Sequence, residues 1–273
     1  MNCKAFALLT DFGLDDPYVG QMKGVLCSFS PKTQVLDISH GVRPHNIIQA
    51  GFFLAASWPY LPIGSVCLAV VDPGVGSSRD ILLLDKEERF VLAPDNGLLS
   101  QVLLRPGTNR LWRLTVQQKA QAVSNTFHGR DLFAPAAAEL VRGCRPDELS
   151  EPVDIDRIVH LRQAEPEIGP ERFRASVGHV DRFGNCLLML PATLWDNGLS
   201  GLKRLSLLEP LERPVQTADS YAAIEPGAIG LVPSSQGYLE LAVNQGSCSY
   251  ELGLDIGDEC LFQGDFSGLA SSP

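Results

Sequence analysis

Cysteine pairs are missing from this chain. None of its seven cysteines (Cys3, Cys27, Cys67, Cys144, Cys186, Cys248 and Cys260) has C-x-x-C spacing, and the number is odd. That argues against a disulfide framework and a cysteine-based zinc site, and it fits reduced thiols packed as small apolar side chains. Positive charge is also scarce. Asp and Glu number 32 against 22 Lys and Arg, a formal net charge of −10, which argues against binding a nucleic-acid backbone, since that requires clustered Lys and Arg. No uninterrupted apolar run reaches membrane-spanning length. The opening Met1-Asn-Cys-Lys-Ala-Phe-Ala-Leu-Leu-Thr10 meets Asp11 before it attains the length of a signal-peptide core. The expectation is a soluble cytoplasmic protein with no nucleic-acid or membrane partner.

What remains is 273 residues, 45% of them hydrophobic, enough for one large core or two modest ones. Up to about Glu148, strand-like and helix-like runs alternate. Lys4–Thr10 reads as a strand, followed by a helix with Asp16 as N-cap, Pro17 at its first position, and Val19, Met22, Val25 and Leu26 on one face. Gln34–Ile38 is a short strand, Asn46–Ser57 an apolar helix, and Ser65–Val71 a buried strand. Asp80–Leu84 and Phe90–Ala93 form a strand pair, and Arg130–Val141 a further helix. Alternation of this kind predicts an α/β domain with a mostly parallel sheet over residues 1–150. Residues 151–172 are charged and broken by Pro152, Pro166 and Pro170, as in a linker. Short strand-like runs follow at Phe173–Val180, Cys186–Leu190, Leu202–Leu208, Ala228–Val232, Tyr238–Val243 and Glu259–Phe262, predicting a mainly β domain over residues 173–265. Residues 266–273 read as a flexible tail.

The chemistry-bearing residues sit where runs end. After Ser65–Val71 come Asp72-Pro-Gly-Val-Gly-Ser-Ser-Arg79, so a sharp Pro-Gly turn follows a carboxylate at the mouth of the sheet and returns a guanidinium towards it. Ligands bind at the carboxyl ends of such strands, although a salt bridge closing a hairpin has the same pattern. Gly74-x-Gly76 hints at a dinucleotide loop, but the third glycine position is Arg79 and a strand follows where that fold needs a helix.

Thr10-Asp11-Phe-Gly-Leu-Asp15-Asp16 places three carboxylates near a helix start. Asp16 reads as a cap, whereas Asp11 has no helix to cap and suits ribose hydroxyls or a hard cation. The stretch resembles the calcium motif D-x-D-x-x-x-D-D of nucleoside hydrolases, except that Leu9 occupies the first Asp position. His128 and Asp131 in Thr126-Phe-His-Gly-Arg-Asp131 also fit a structural helix entrance, and Asp181-Arg-Phe-Gly-Asn185 fits an ordinary turn. Ser235 lacks the preceding glycine of a nucleophile elbow.

Taken in order, T-D-F-G, V-D-P-G-V-G-S-S-R, P-D-N-G (Pro94–Gly97), F-H-G-R-D, D-x-F-G-N and S-x-G-Y-L-E (Ser235–Glu240) closely resemble one family. It is the S-adenosyl-L-methionine hydroxide adenosyltransferases, adenosine-forming hydrolases related to the fluorinase and chlorinase. The resemblance runs from about Phe6 to Phe262 and implies an N-terminal α/β domain, a C-terminal β-barrel-like domain and a homotrimer with sites at subunit boundaries. It also implies hydrolysis of S-adenosyl-L-methionine to adenosine and L-methionine, without cofactor or metal. Asp72, Arg79 and His128 match the water-handling set. Asp11 would hold the ribose hydroxyls, Asp15 and Asp181 the methionine ammonium, Ser235 its carboxylate, and Asn185 would lie against adenine. The halogenases carry aromatic residues at the positions of Asp72 and His128, so this chain falls with the hydrolases. Departures from the fluorinase pattern occur at His45, which replaces an aromatic residue, and at Gln236 and Val243, which replace arginines. A non-catalytic adenosyl-binding protein and a metal-dependent nucleoside hydrolase are the competing readings.

Overall fold

The computed structural model describes residues 5–115, 124–202 and 204–266. Lys4, Cys3 and the expected tail beyond Phe266 lie outside the described residues, as does Lys203 in the Leu202–Leu208 run. The chain divides into two compact units at Leu161/Arg162, within the stretch expected to be a linker.

In the first unit, seven strands form one mixed sheet. They are β1 (Ala5–Thr10), β2 (Gln34–Ser39), β3 (Val66–Val70), β4 (Ile81–Lys86), β5 (Arg89–Pro94), β6 (Arg110–Leu114) and β7 (Ser150–Pro152), in the order β2-β1-β3-β5-β4-β6-β7. The pairings from β2 to β5 are parallel, and those from β5 to β7 are antiparallel. β1 and β3 are apolar on both faces because helices cover both. Phe6, Leu8, Leu68 and Val70 pack with α1 (Tyr18–Phe29) and α4 (Ala134–Val141). Ala7, Leu9, Cys67 and Ala69 pack on the opposite face with α2 (Ile47–Ser57) and the short α3 (Ser100–Leu103). Successive side chains of a strand point to opposite faces, so one continuous apolar run feeds two cores. No helix among the described residues is long and apolar enough to cross a membrane.

Two local expectations need correction. Asp16 does not cap α1. Pro17 holds the capping position, and its carbonyl accepts the N–H of Gln21 at 2.9 Å with no side-chain cap. The helix therefore starts one residue late and leaves Asp16 free of it. Nor is 130–141 a uniform helix, because Gly129–Phe133 forms a π-helical turn before α4 begins. Asn46 does cap α2, its Oδ1 accepting the N–H of Gln49 at 2.8 Å.

The second unit carries β8 (Glu167–Ile168), β9 (Arg172–Val180), β10 (Cys186–Pro191), β11 (Leu205–Glu209), β12 (Arg213–Thr217), β13 (Ile229–Pro233), β14 (Tyr238–Val243) and β15 (Glu259–Gln263). Seven of them close into a barrel through the β9–β10 pairing, and β8 is added outside β9. Phe173, Val177, Leu188, Leu207, Leu231, Leu241 and Phe262 fill its interior. β12 had no apolar run to betray it. Its sequence is Arg-Pro-Val-Gln-Thr, with only Val215 buried, and it is a strand because β11 and β13 supply partners on both sides. The cysteines at 27, 67, 144, 186, 248 and 260 are free thiols, and burial pushes Cys67 up to about 12.

Leu68 is fully buried at the centre of the parallel half. Leu68→Ala is expected to cost about 2–5 kcal/mol, read as a lower urea midpoint. A loss under about 1 kcal/mol would contradict this placement of the core.

Candidate active site

The chain runs from β1 outward to β2 and then returns to place β3 on the other flank of β1. The connection leaving β1 runs to β2 on one side and the connection leaving β3 runs past β5 to β4 on the other, so the two diverge and a crevice opens at the carboxyl ends of these two strands. A cavity of about 300 Å³ lies there, at the lower end of the range for small-molecule sites. Its lining includes Asp11, Asp16, His45, Asp72, Phe127 and His128.

Asp72 and His128 line it, and Arg79 bridges the two. Arg79 Nε donates to Asp72 Oδ1 at 3.0 Å, and Nη2 bonds to Asp72 Oδ2, making a two-pronged ion pair. The same Nη2 lies 2.9 Å from His128 Nδ1. A guanidinium has donors only, so Nδ1 must be the acceptor and the imidazole is neutral, with its proton on Nε2. Burial first, and the charge of Arg79 second, hold His128 below its ordinary 6.5. The Arg79 and Asp72 side chains are only 9% and 5% exposed, and Phe133 of the π-helical turn lies under the guanidinium at 5.9 Å.

Two features of the sequence produce this meeting. Within Asp72–Arg79 the backbone folds through consecutive turns, Val75 N–H to Asp72 O at 3.2 Å and Ser77 N–H to Gly74 O at 3.1 Å. Ser77 Oγ then accepts the N–H of Arg79 at 3.3 Å. Gly76 has φ +80°, and a Cβ there would stand 2.5 Å from the carbonyl oxygen of Asn125. Only glycine lets this loop rest on the segment that leads to His128. That segment is itself tethered, since Asp131 Oδ2 accepts the N–H of Ser124 at 2.9 Å and Arg130 bonds to the same carboxylate.

Asp11 follows β1 directly. Its Oδ2 accepts the N–H of His45 at 2.8 Å, and its side chain is 9% exposed. His45 has φ +65°. The His40–His45 loop is fixed to β1 by a bond from Gly13 N–H to His40 O at 2.8 Å, and by Thr10 Oγ1 against the buried His40 Nδ1, also at 2.8 Å. Sequence reasoning missed His40, whose partner Thr10 is 30 residues away. It also missed the apolar wall of Phe12, Tyr18 and Phe127, whose ring centroids are 5.1–5.7 Å apart. Asp16 lines the cavity, whereas Asp15 is exposed on the preceding turn.

In the second unit, Asp181 and Asn185 share one turn. Asp181 Oδ1 accepts the N–H groups of Phe183 and Asn185, and Oδ2 accepts Asn185 Nδ2 at 3.0 Å. Ser235 is exposed at the tip between β13 and β14. Glu240, the last residue of the S-x-G-Y-L-E motif, was given no role by the sequence reading; it is buried on β14 and accepts the Tyr221 hydroxyl. Burial raises both groups above their ordinary values.

Comparison with known proteins gives this geometry its context. Residues 6–150 match the SAM hydroxide adenosyltransferase N-terminal domain, and residues 175–261 match its C-terminal domain. The chain belongs to the SAM hydroxide adenosyltransferase family. It is 37% identical to a protein named (R)-S-adenosyl-L-methionine hydrolase from Thermus thermophilus, over 91% of this chain and 95% of that one. A fluorinase of Nocardia brasiliensis is more distant, at 25% identity over 92% and 94%. The crystal structure of an uncharacterized conserved protein from Thermotoga maritima superposes with a TM-score of 0.83 at 31% identity, covering 94% of this chain and 99% of that one.

Gly76→Ala adds a methyl group that the Asn125 carbonyl cannot accommodate, at a φ that alanine resists. It is expected to lower kcat for the family reaction at least tenfold while the folded state persists in circular dichroism. Wild-type kcat would show that the loop contact does not set the site.

Proposed function

We propose that the chain hydrolyses S-adenosyl-L-methionine to adenosine and L-methionine by attack of water on the ribose 5′-carbon. The observation that carries this reading is the buried Asp72–Arg79–His128 constellation at the mouth of the β1/β3 crevice. The relatives' name specifies the R configuration at sulfur, and we take that diastereomer as the substrate here. Asp11 holds the ribose diol, Asp15 and Asp181 the ammonium, Ser235 the carboxylate, and Asn185 lies against adenine. The expected assembly is a cytoplasmic homotrimer with sites at subunit boundaries. Leu14 and Phe183, each 75% exposed, and Tyr250 at 87% support an assembled state, as apolar side chains that gain from cover.

The leaving group requires little help. As the C–S bond breaks, its electron pair goes to sulfur, and a sulfonium becomes a neutral thioether. The nucleophile is the weak partner. A water on the cavity side of Asp72 and His128 has an acceptor in the carboxylate and a donor in His128 Nε2–H. Because Arg79 occupies the Nδ1 lone pair of His128, the proton of the attacking water goes to Asp72, whose oxygens keep lone pairs beyond those bonded to Arg79. The Arg79 charge favours the hydroxide character that develops on the attacking oxygen. Positioning in line with the breaking bond contributes as well, with about 7–11 kcal/mol available in favourable cases. The wall of Phe12, Tyr18 and Phe127 excludes water beside a centre that loses charge, which favours the transition state over the charged ground state.

Incubation of each sulfonium diastereomer in ¹⁸O-water tests the reaction. Adenosine labelled at its 5′-oxygen, with methionine, is expected from the R form; binding without product would contradict hydrolysis. Asp72→Asn is expected to lower kcat by about 10²–10⁴-fold with substrate still bound, and unchanged turnover would remove Asp72 from the mechanism. With His128 held below 6.5, its neutral form persists through pH 7 and is lost only as pH falls below 6.5. The kcat/KM profile should therefore be flat from pH 7 to 8, with its acid limb below 6.5. A limb centred above pH 7 would contradict a neutral His128.

A further inference from the structure

Asn96, in the Pro94–Gly97 turn, does not line the cavity, yet it holds the strand end from which Asp72 projects. In the sheet order β3-β5-β4, the connection from β3 to β4 must cross the carboxyl end of β5. That connection contains Asp72 and Arg79, and the Pro94–Gly97 turn lies beneath it.

The parallel ladder pairs Val66, Cys67 and Leu68 with Phe90, Val91 and Leu92. Continuing that register sets Val70 opposite Pro94, which has no N–H to offer. The ladder must stop just where the buried backbone still needs donors. Asn96 supplies one, its Nδ2 donating to the carbonyl of Val71 at 2.9 Å. Asn96 Oδ1 accepts the N–H of Leu98 at 3.2 Å, which fixes the amide with its NH₂ towards Val71. The next residue back, Asp95, donates its backbone N–H to Asp80 O at 3.0 Å. One turn therefore grips Val71, immediately before Asp72, and Asp80, immediately after Arg79.

We propose that Asn96 is a positioning residue for the Asp72–Arg79 pair, acting through the carbonyl of Val71. This rests on the reading that Asp72 acts in the reaction. Displacements of about 1 Å at a reacting group can cost about 10² in rate, so the hold on Val71 governs kcat while the ribose and methionine contacts, made elsewhere, govern binding.

Asn96→Asp tests it with nearly unchanged volume. The Leu98 acceptor is kept, while a carboxylate oxygen replaces the donor facing Val71 O. Expected is a roughly 10–100-fold fall in kcat with KM within threefold of wild type. Asp95→Asn keeps the backbone bond to Asp80 and should leave kcat unchanged. In the Asn96→Asp/Asp72→Asn double variant, the loss in kcat should be well below the product of the two single losses, because the carboxylate that Asn96 helps to position is gone. Contacting residues couple in this way, whereas independent sites give multiplied losses.

Multiplied losses, or an Asn96→Asp enzyme with wild-type kcat, would overturn the proposal while leaving Asp72 in the mechanism. Wild-type turnover by Asp72→Asn would instead overturn the reading beneath it. Asn96→Ala removes the donor without adding charge and should give a smaller kcat loss in a folded protein. If Asn96→Asp and Asn96→Ala both fail to fold, Asn96 is structural and the proposal falls.

Discussion

One guanidinium organises the site. Arg79 is a donor at every nitrogen, and it spends those donors on a carboxylate and on an imidazole lone pair. That single choice pairs the Asp72 carboxylate with a positive charge, fixes the tautomer of His128, and leaves Nε2–H as its remaining donor. A lysine could not reproduce this, since a point ammonium lacks the planar fork that spans both carboxylate oxygens while reaching a third group. Buried ion pairs are stabilising only with good geometry and further hydrogen bonds, and the surrounding structure exists to provide them.

The fold supplies that geometry through crossing points. The turn from β1 towards β2 and the return to β3 open the crevice. The connection from β3 to β4 is forced over the end of β5, so Asp72 and Arg79 are held at both flanks by backbone and by Asn96. Gly76 then allows this connection to rest on Asn125, three residues before His128. On the other side of the crevice, Thr10, Gly13 and His40 fix the loop whose His45 N–H meets Asp11. Groups that would touch substrate are thus held by neighbours that do not.

Much of this was legible in the amino-acid order, for physical reasons. Buried strands such as β3 and β14 declare themselves as apolar runs, and the Asp72-Pro-Gly turn announces a reversal. Strands that are stable only because of their neighbours do not: β12 is polar and contains Pro214, while β7 and β8 are three and two residues long. The Asp16 cap was misread because Pro17 serves equally well as the residue before a helix. The π-helical turn at Gly129–Phe133 has no periodic signature in five residues. For the site, the residues alone left Asp72, Arg79 and His128 as separate ambiguities, and the ordered family motifs joined them. Neither route gave a role to His40, Asn96 or Glu240, although the last two stand in the ordered motifs, because the partners Thr10, Val71 and Tyr221 lie 19 to 30 positions away along the chain.

The protonation state of His128 tests the account most directly. With histidines labelled at both ring nitrogens, long-range ¹H–¹⁵N correlation at pH 7 separates the neutral tautomers from imidazolium. The account predicts a neutral ring protonated at Nε2, with a hydrogen-bonded, unprotonated Nδ1, and a return to tautomer averaging when Arg79 is replaced by Met. An imidazolium, or a proton on Nδ1, would contradict it, because Arg79 could then not bridge His128 and Asp72.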